Sequence, residues 1–398
     1  MCIRDRINRI VEELNPTFPE DRRLLEQMIR RKELVNTFAS PAMQRALFEK
    51  FEMMLPGNPF VYQHRSILER DLGDGDSAVR YANKAIGSAT YNRSIFENSL
   101  GFALEYQSRT KTGSERKGLI DRARKIFEKG VRDAPRNAFG YLGLNKLIRN
   151  ELTKAKTGTE KSIKIAESIS LLENALEQTS ENSAIAGELG MMQNILGEFD
   201  QAYETVEESM KRHPNDSRIR ELMIQLASKD KPEYALSIAE AGAKLDTSNW
   251  RFQRHIARLS YRLDHSADKI IGHYAAAFRF RKRDPKVLAE YGGFLIKVGK
   301  FDKASELFAE GRNLPIPSKE RKTIQEIWRD SSGNPIEFNG EVKTIKGALG
   351  FVIAIPENFT AVFWRTSAFH SSLVQHQRVK FRVGFSASGP AATKIMRV

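Results

Sequence analysis

Four arginines, Arg251, Arg254, Arg258 and Arg262, recur at spacings of 3, 4 and 4, which sets them along one side of a helix. Phe252, Ile256, Leu259 and Leu263 form an apolar stripe on another side, about 100° or more away. Downstream, Arg279, Arg281, Lys282 and Arg283 interleave with Phe278 and Phe280. They end the partner helix, where cations complement the helix dipole. The chemistry open to such a stripe is recognition: guanidinium groups lining a groove grip carboxylates or phosphates through charge-assisted hydrogen bonds. The other reading is a solvated helix face. Elsewhere the candidates fall short of chemistry. Val298-Gly299-Lys300-Phe301 resembles the end of a phosphate loop, but Gly293 is one residue too far upstream and Phe301 replaces the magnesium-holding Ser or Thr. It reads as a turn between helices. His265 and His273 lie eight residues apart across a turn, with no Glu-bearing motif beside them, and His370 and His376 lack a third ligand. Asp74 and Asp76 around Gly75 read as a loop before a helix start rather than a calcium loop. No catalytic residue, metal site or cofactor is expected within these residues.

The composition agrees with recognition of acidic partners. The 398 residues carry a net charge of +14, and no apolar run approaches the length of a bilayer span. Residues 336–398 hold eight basic residues against three acids, or +5, which leaves +9 for the rest, so neither part is a basic tail. The single cysteine, Cys2, rules out an intrachain disulfide or a cysteine zinc site. Met-Cys-Ile-Arg-Asp-Arg at residues 1–6 reads as the translated end of a sequencing-library adapter. On that expectation the natural polypeptide starts upstream and this is its C-terminal part. Arg4, Asp5, Arg6 and Arg9 interrupt any signal-peptide core, which makes a cytoplasmic location the expectation.

The elements that would position these residues are paired helices. At 183–216, Gly190, Gly197-Glu198-Phe199, Ala202 and Pro214 place small residues where two helices cross, a glycine at the turn and a proline after the second helix. A second copy runs through Tyr291-Gly292, Gly299-Lys300-Phe301, Ala304, Phe308 and Gly311. The second-helix small residue recurs at Ala78, Ala123, Ser168, Ala202, Ala235 and Ala304. The steps of 34 and 33 residues resemble the tetratricopeptide repeat, which implies an α-solenoid with a partner-binding groove. Seven hairpins are expected between Asn58 and Pro317, within a repeat region taken as 58–330. Two early steps are longer, at 45, and the extra residues in Ser108–Lys117 and Lys154–Lys161 read as longer connections. Residues 7–57 read as helical, either a cap or the trailing edge of a missing domain. Residues 318–337 read as a helix carrying Ile324, Ile327 and Trp328 on one face, with Trp328 closing the last hairpin.

After Gly333-Asn334-Pro335 the period changes to two, through Val342, Phe351, Ile353, Val379, Phe381 and Val383, with Gly, Pro and Asn turns between. Gly340-x-Val342-Lys343, Lys346-Gly347, Leu349-Gly350-Phe351-Val352, Val362-Phe363-Trp364-Arg365 and Gln377-x-Val379-x-Phe381 resemble the cold-shock domain, a five-stranded oligonucleotide-binding (OB) barrel. The resemblance implies that 336–398 is such a barrel. It further implies a base-stacking platform of Leu349, Phe351, Phe363 and Arg365 flanked by Lys343 and Lys346. Thr344 stands where the family has tryptophan, Leu349 where it has phenylalanine, and Arg365 where it has histidine. The other reading is that Phe351 and Phe363 pack in the core and the barrel is a docking cap.

The fold expected is thus mostly α, a tetratricopeptide-like α-solenoid with a small C-terminal five-stranded OB/cold-shock-like β-barrel. The order of parts is similar to the C-terminal portion of bacterial STAND-type signalling and defence proteins. That resemblance implies a non-catalytic sensor scaffold, with an NTPase or effector upstream. The partners expected are a protein or peptide in the groove and single-stranded RNA or DNA at the barrel, with no membrane. The alternative is a stand-alone RNA-binding adaptor that recruits a partner through its repeats.

Overall fold

A computed structural model describes residues 41–281, 284–314, 321–330, 334–346, 349–355, 357–364 and 373–398. Residues 1–6 and most of the expected N-terminal cap, together with Lys282, Arg283, Arg365 and His370, lie outside the described residues. Fifteen α-helices and six strands fall within them. The chain divides into two compact units, Met1–Leu226 and Ala227–Val398.

In the first unit, α1 (Pro41–Met54) precedes four helix pairs. These are α2 (Pro59–Asp71) with α3 (Gly75–Ser88), α4 (Arg93–Gln107) with α5 (Gly113–Asp133), α6 (Ala138–Leu152) with α7 (Gly158–Gln178), and α8 (Ser183–Leu196) with α9 (Phe199–Arg212). Helix α10 (Ser217–Ala227) follows. Local chemistry sets the ends. Asn58, Asn137 and Asn182 each accept a hydrogen bond from a backbone N–H of the helix they open. Thr157 and Glu160 form a reciprocal capping box on α7. Gly197, at φ 98°, closes α8 in a conformation that glycine adopts without strain. The long repeat steps come mostly from the helices and only in part from the longer connections expected, which are residues 108–112 and 153–157. Helices α5 and α7 have 21 residues each, whereas α3 and α9 have 14, so seven extra residues add about two helical turns. Residues 113–117 and 158–161 are helical rather than connecting, because Glu115 and the Thr157–Glu160 box favour a helix start there.

Close helix approach depends on glycine. The ring of Phe127, fully buried, sits against Gly101 of α4 and Gly143 of α6. A Cβ at those positions would lie 2.6 and 2.3 Å from it.

In the second unit, α11 (Pro232–Leu245) is followed by α12 (Trp250–Arg262) with α13 (Ala267–Phe280), and α14 (Pro285–Lys297) with α15 (Phe301–Asn313). Gly299, at φ 74°, makes the turn between α14 and α15, as expected of Val298–Phe301. Strands β2 (Glu337–Lys346), β3 (Leu349–Ile355), β4 (Thr360–Trp364), β5 (Arg378–Ser386) and β6 (Gly389–Arg397) close a barrel in the circuit β2–β3–β4–β6–β5–β2. All contacts are antiparallel except β4 with β6. The closed five-stranded barrel is the C-terminal architecture expected from the sequence.

Residues 326–330 depart from the expected helix. Glu326–Ile327 form a short strand, β1, paired antiparallel with β5. Trp328 packs within the barrel's aromatic cluster, with ring centroids 4.9 Å from Phe338 and 5.9 Å from Phe385. Barrel and last hairpin share one core, in which Val287, Leu288 and Phe308 join Phe381, Val383 and Phe385. Phe385 packs against Gly293 of α14. Lys297 of α14 is ion-paired to Glu326 at 2.7 Å, with its side chain only 8% exposed.

Candidate functional site

A groove of about 890 Å3 runs along the first unit, lined by the first helices of successive pairs, α2, α4, α6 and α8, and by α10. The second helices lie behind. Glycines such as Gly101, Gly143 and Gly190 seat the first helices against the second-helix side chains Phe127 and Val206, and the outward faces of the first helices make the groove floor. The floor is partly apolar: Phe139 and Ile195 line it and are 48% and 49% exposed. Phe102 lies beneath two cations, the Arg70 guanidinium at 5.9 Å and the Lys146 ammonium at 5.4 Å from the ring centroid.

Two carboxylates organise the polar part. Glu105 of α4 is buried, and receives Lys146 at 2.9 Å, Arg109 at 3.1 Å and Asn150 Nδ2 at 2.8 Å. Burial alone would raise the Glu105 pKa, but the Lys146 and Arg109 charges and the amide donor hold it below the usual range. Burial lowers the Lys146 pKa, and the Glu105 carboxylate partly offsets the effect. Glu188 of α8 accepts from Arg149 at 2.7 Å and from Asn145 Nδ2 at 2.9 Å. Asn145 is itself fixed by the buried Ser168 hydroxyl, which donates to its Oδ1 at 2.5 Å. The three cations in the middle of the groove are therefore all held in ion pairs, by two carboxylates. The flanking arginines differ. Among the described residues, the Arg70 side chain makes only its ring contact at close range, and the exposed Arg218 side chain makes no hydrogen bond or ion pair, its charge acting on Asp216 from farther away.

The arginine stripe of α12 occupies four separate environments. Arg254 is buried and forms a two-pronged ion pair with the buried Glu290 of α14, both contacts at 2.6 Å. Arg262 donates to the backbone carbonyls of Ser228 and Lys229. Arg251 lies over the Trp250 ring at 5.2 Å, and Arg258 is exposed. The stripe does not form one open strip. Reversing Arg254 to Glu would bury two carboxylates together and cost several kcal/mol of stability, so a loss of binding there would report unfolding.

At the barrel the structure separates the expected platform. Phe363 is 1% exposed and faces inward, where a Cβ at Gly350 would lie 2.0 Å from its ring. Phe363 is thus a core residue and presents no stacking face. Phe351 pairs in register with Thr344 and Val362 on the outer, half-buried face, and Lys346 pairs with Leu349. Lys343 and Lys346 are exposed. Arg365 is outside the described residues. The remaining polar candidates have structural partners: His273 bonds Gln253, His376 bonds Glu341, and Asp74 caps α3 through the Ser77 N–H. No cluster of metal-ligating side chains occurs among the described residues, nor any helix long and apolar enough to cross a membrane.

The chain matches no protein-family model and no curated protein sequence. Solved structures are similar to it in fold. A thermophilic TPR protein of Thermus thermophilus, TTC0263, is 16% identical, over 51% of this chain and 99% of its own, at a TM-score of 0.41. The helical part is TPR-like. Human IFIT1, solved as a dimer with m7Gppp-AAAA, is 14% identical over 80% of this chain and 73% of its own, at a TM-score of 0.44. MamA of Desulfovibrio magneticus is 18% identical over 42% and 92%, at a TM-score of 0.33. The likeness is one of fold alone.

The repeat pattern in the sequence does not single out the first-unit groove. It carries one signal for it: Arg70, Phe102 and Lys146 fall on the first helix of a pair, outside the small-residue seam.

Proposed function

We propose that the chain is a non-catalytic protein-interaction scaffold, and that its first unit holds a segment of a partner protein in the groove. The observation that carries this reading is the floor itself: half-exposed Phe139 and Ile195 on helices whose groove-lining Asn145, Lys146, Arg149 and Glu188 are already paired. Apolar side chains left open amid satisfied polar ones gain from burial by a ligand. Panning a display library of random dodecamer peptides against the purified chain tests it. Selected peptides should lose binding to the Phe139→Asp and Ile195→Asp variants. Binders indifferent to both changes would place recognition elsewhere.

The finer reading is that this scaffold is the recognition part of a STAND-type signalling or defence protein. It rests on the order of helical repeats followed by a barrel. An upstream reading frame encoding a phosphate-loop domain supports it, and a frame without one removes it. A second reading, an RNA-binding adaptor, is favoured by Phe351 on the outer barrel face near exposed Lys343 and Lys346. Without Phe363 the aromatic platform is reduced. Single-stranded RNA binding that weakens in Phe351→Ala and falls with salt would support this adaptor role.

A further inference from the structure

We infer that the occupant of the first-unit groove is an extended acidic peptide of about ten residues, with its carboxylates near both ends and apolar side chains between. This rests on the groove reading above and specifies its ligand. Three observations carry it. First, the groove cations divide by availability. Arg109 and Lys146 are held by Glu105, and Arg149 by Glu188, whereas Arg70 on α2 and Arg218 on α10 have no acidic partner within 4 Å among the described residues. The lining cations that make no ion pair therefore sit on the outermost lining helices, where Arg218 shares α10 with the lining Glu221 and acts on the nearby Asp216 only at longer range. Second, the centre between them exposes Phe139 and Ile195, which suit apolar side chains. Third, the separation suits an extended chain. Four steps between neighbouring helices at about 8–10 Å each give about 30–40 Å, and a strand advancing about 3.3 Å per residue covers that in about ten residues.

A polynucleotide fits less well. It carries one phosphate per nucleotide along its whole length, and would need open cations through the middle, where they are already paired. The Phe102 ring, moreover, has Arg70 and Lys146 over it. A peptide places charge only where its sequence does.

The test uses the full chain and two synthetic decapeptide pools. One has Asp-Glu at both ends around a randomised Leu, Phe and Ala centre; the other has Asn-Gln ends. Affinity selection followed by mass spectrometry should enrich the acid-ended pool. The best members, measured by fluorescence anisotropy, should weaken about tenfold in each of Arg70→Gln and Arg218→Gln, and further in the double variant. Circular dichroism and thermal melting of both variants should match the parent. Equal enrichment of both pools, with loss only in Phe139→Asp, overturns the charge assignment and keeps the groove. Enrichment of neither pool overturns the groove reading with it. An oligouridylate decamer that binds more tightly than the peptides and loses affinity in the same arginine variants overturns the peptide in favour of RNA.

Discussion

Arg254 and Glu290 show how a residue's role can depend on a partner far away in sequence. At spacings of 3 and 4 Arg254 belongs to a polar helix face, but its carboxylate lies 36 positions downstream and draws it inside. Its neighbour His255 is buried in the same place. Burial, followed by the charges of Arg254, Arg258, Lys286 and Arg251, pushes the His255 pKa down from 6.5 to about 3. The folded value lies below the unfolded one, so between those limits the unfolded chain binds a proton that the folded chain does not. Stability should therefore rise with pH across this window and fall on acidification, by at most about 1.4 kcal/mol per pH unit from this group. Urea unfolding between pH 4 and 7 measures it. His255→Leu should remove this part of the slope, and an unchanged slope would show that His255 is not its source.

Among the elements, the glycines divide into two kinds. Gly143 touches the Phe127 ring, while Gly118, inside α5, has nothing within 4 Å of where an added methyl carbon would stand. Gly143→Ala must displace Phe127 and should destabilise by about 1–3 kcal/mol. Gly118→Ala should stabilise by about 1 kcal/mol through helix propensity alone. Chemical denaturation of both variants should give opposite signs. The same contrast explains what can be read in advance. Turn glycines such as Gly197 and Gly299 and the seam residue Ala202 answer to local geometry, so the helix pairs are visible in the sequence. The inward direction of Phe363 is not, because it depends on pairing: Phe363 is opposite Gly350, and Phe351 is opposite Val362. Residues 326–328 look helical in sequence because Ile324, Ile327 and Trp328 fit a 3.6 period, while their pairing with β5 spans more than fifty residues. Groove residues are hidden for a similar reason, since Glu105 is held by Lys146, forty-one positions away on α6, as well as by Arg109 in the turn after its own helix.

For the whole molecule, the second unit is a joint product of helix and barrel. A fragment beginning at Ala227 retains α11–α15 and every strand. One beginning at Ile336 loses β1, Trp328 and the hairpin residues that complete the core. The longer fragment should show cooperative thermal unfolding and a near-ultraviolet spectrum of packed aromatics. The shorter should show neither. A cooperative melt from 336–398 alone would mean that the barrel core closes without its neighbours.

The sheet seated on α14 and α15 has a further effect on the array. Stacked repeats leave an apolar surface at each terminus, which another copy can extend. Here Phe385 and Val383 already occupy that surface on the final hairpin. Growth into head-to-tail fibres is therefore closed off at the face that α14 and α15 would otherwise offer.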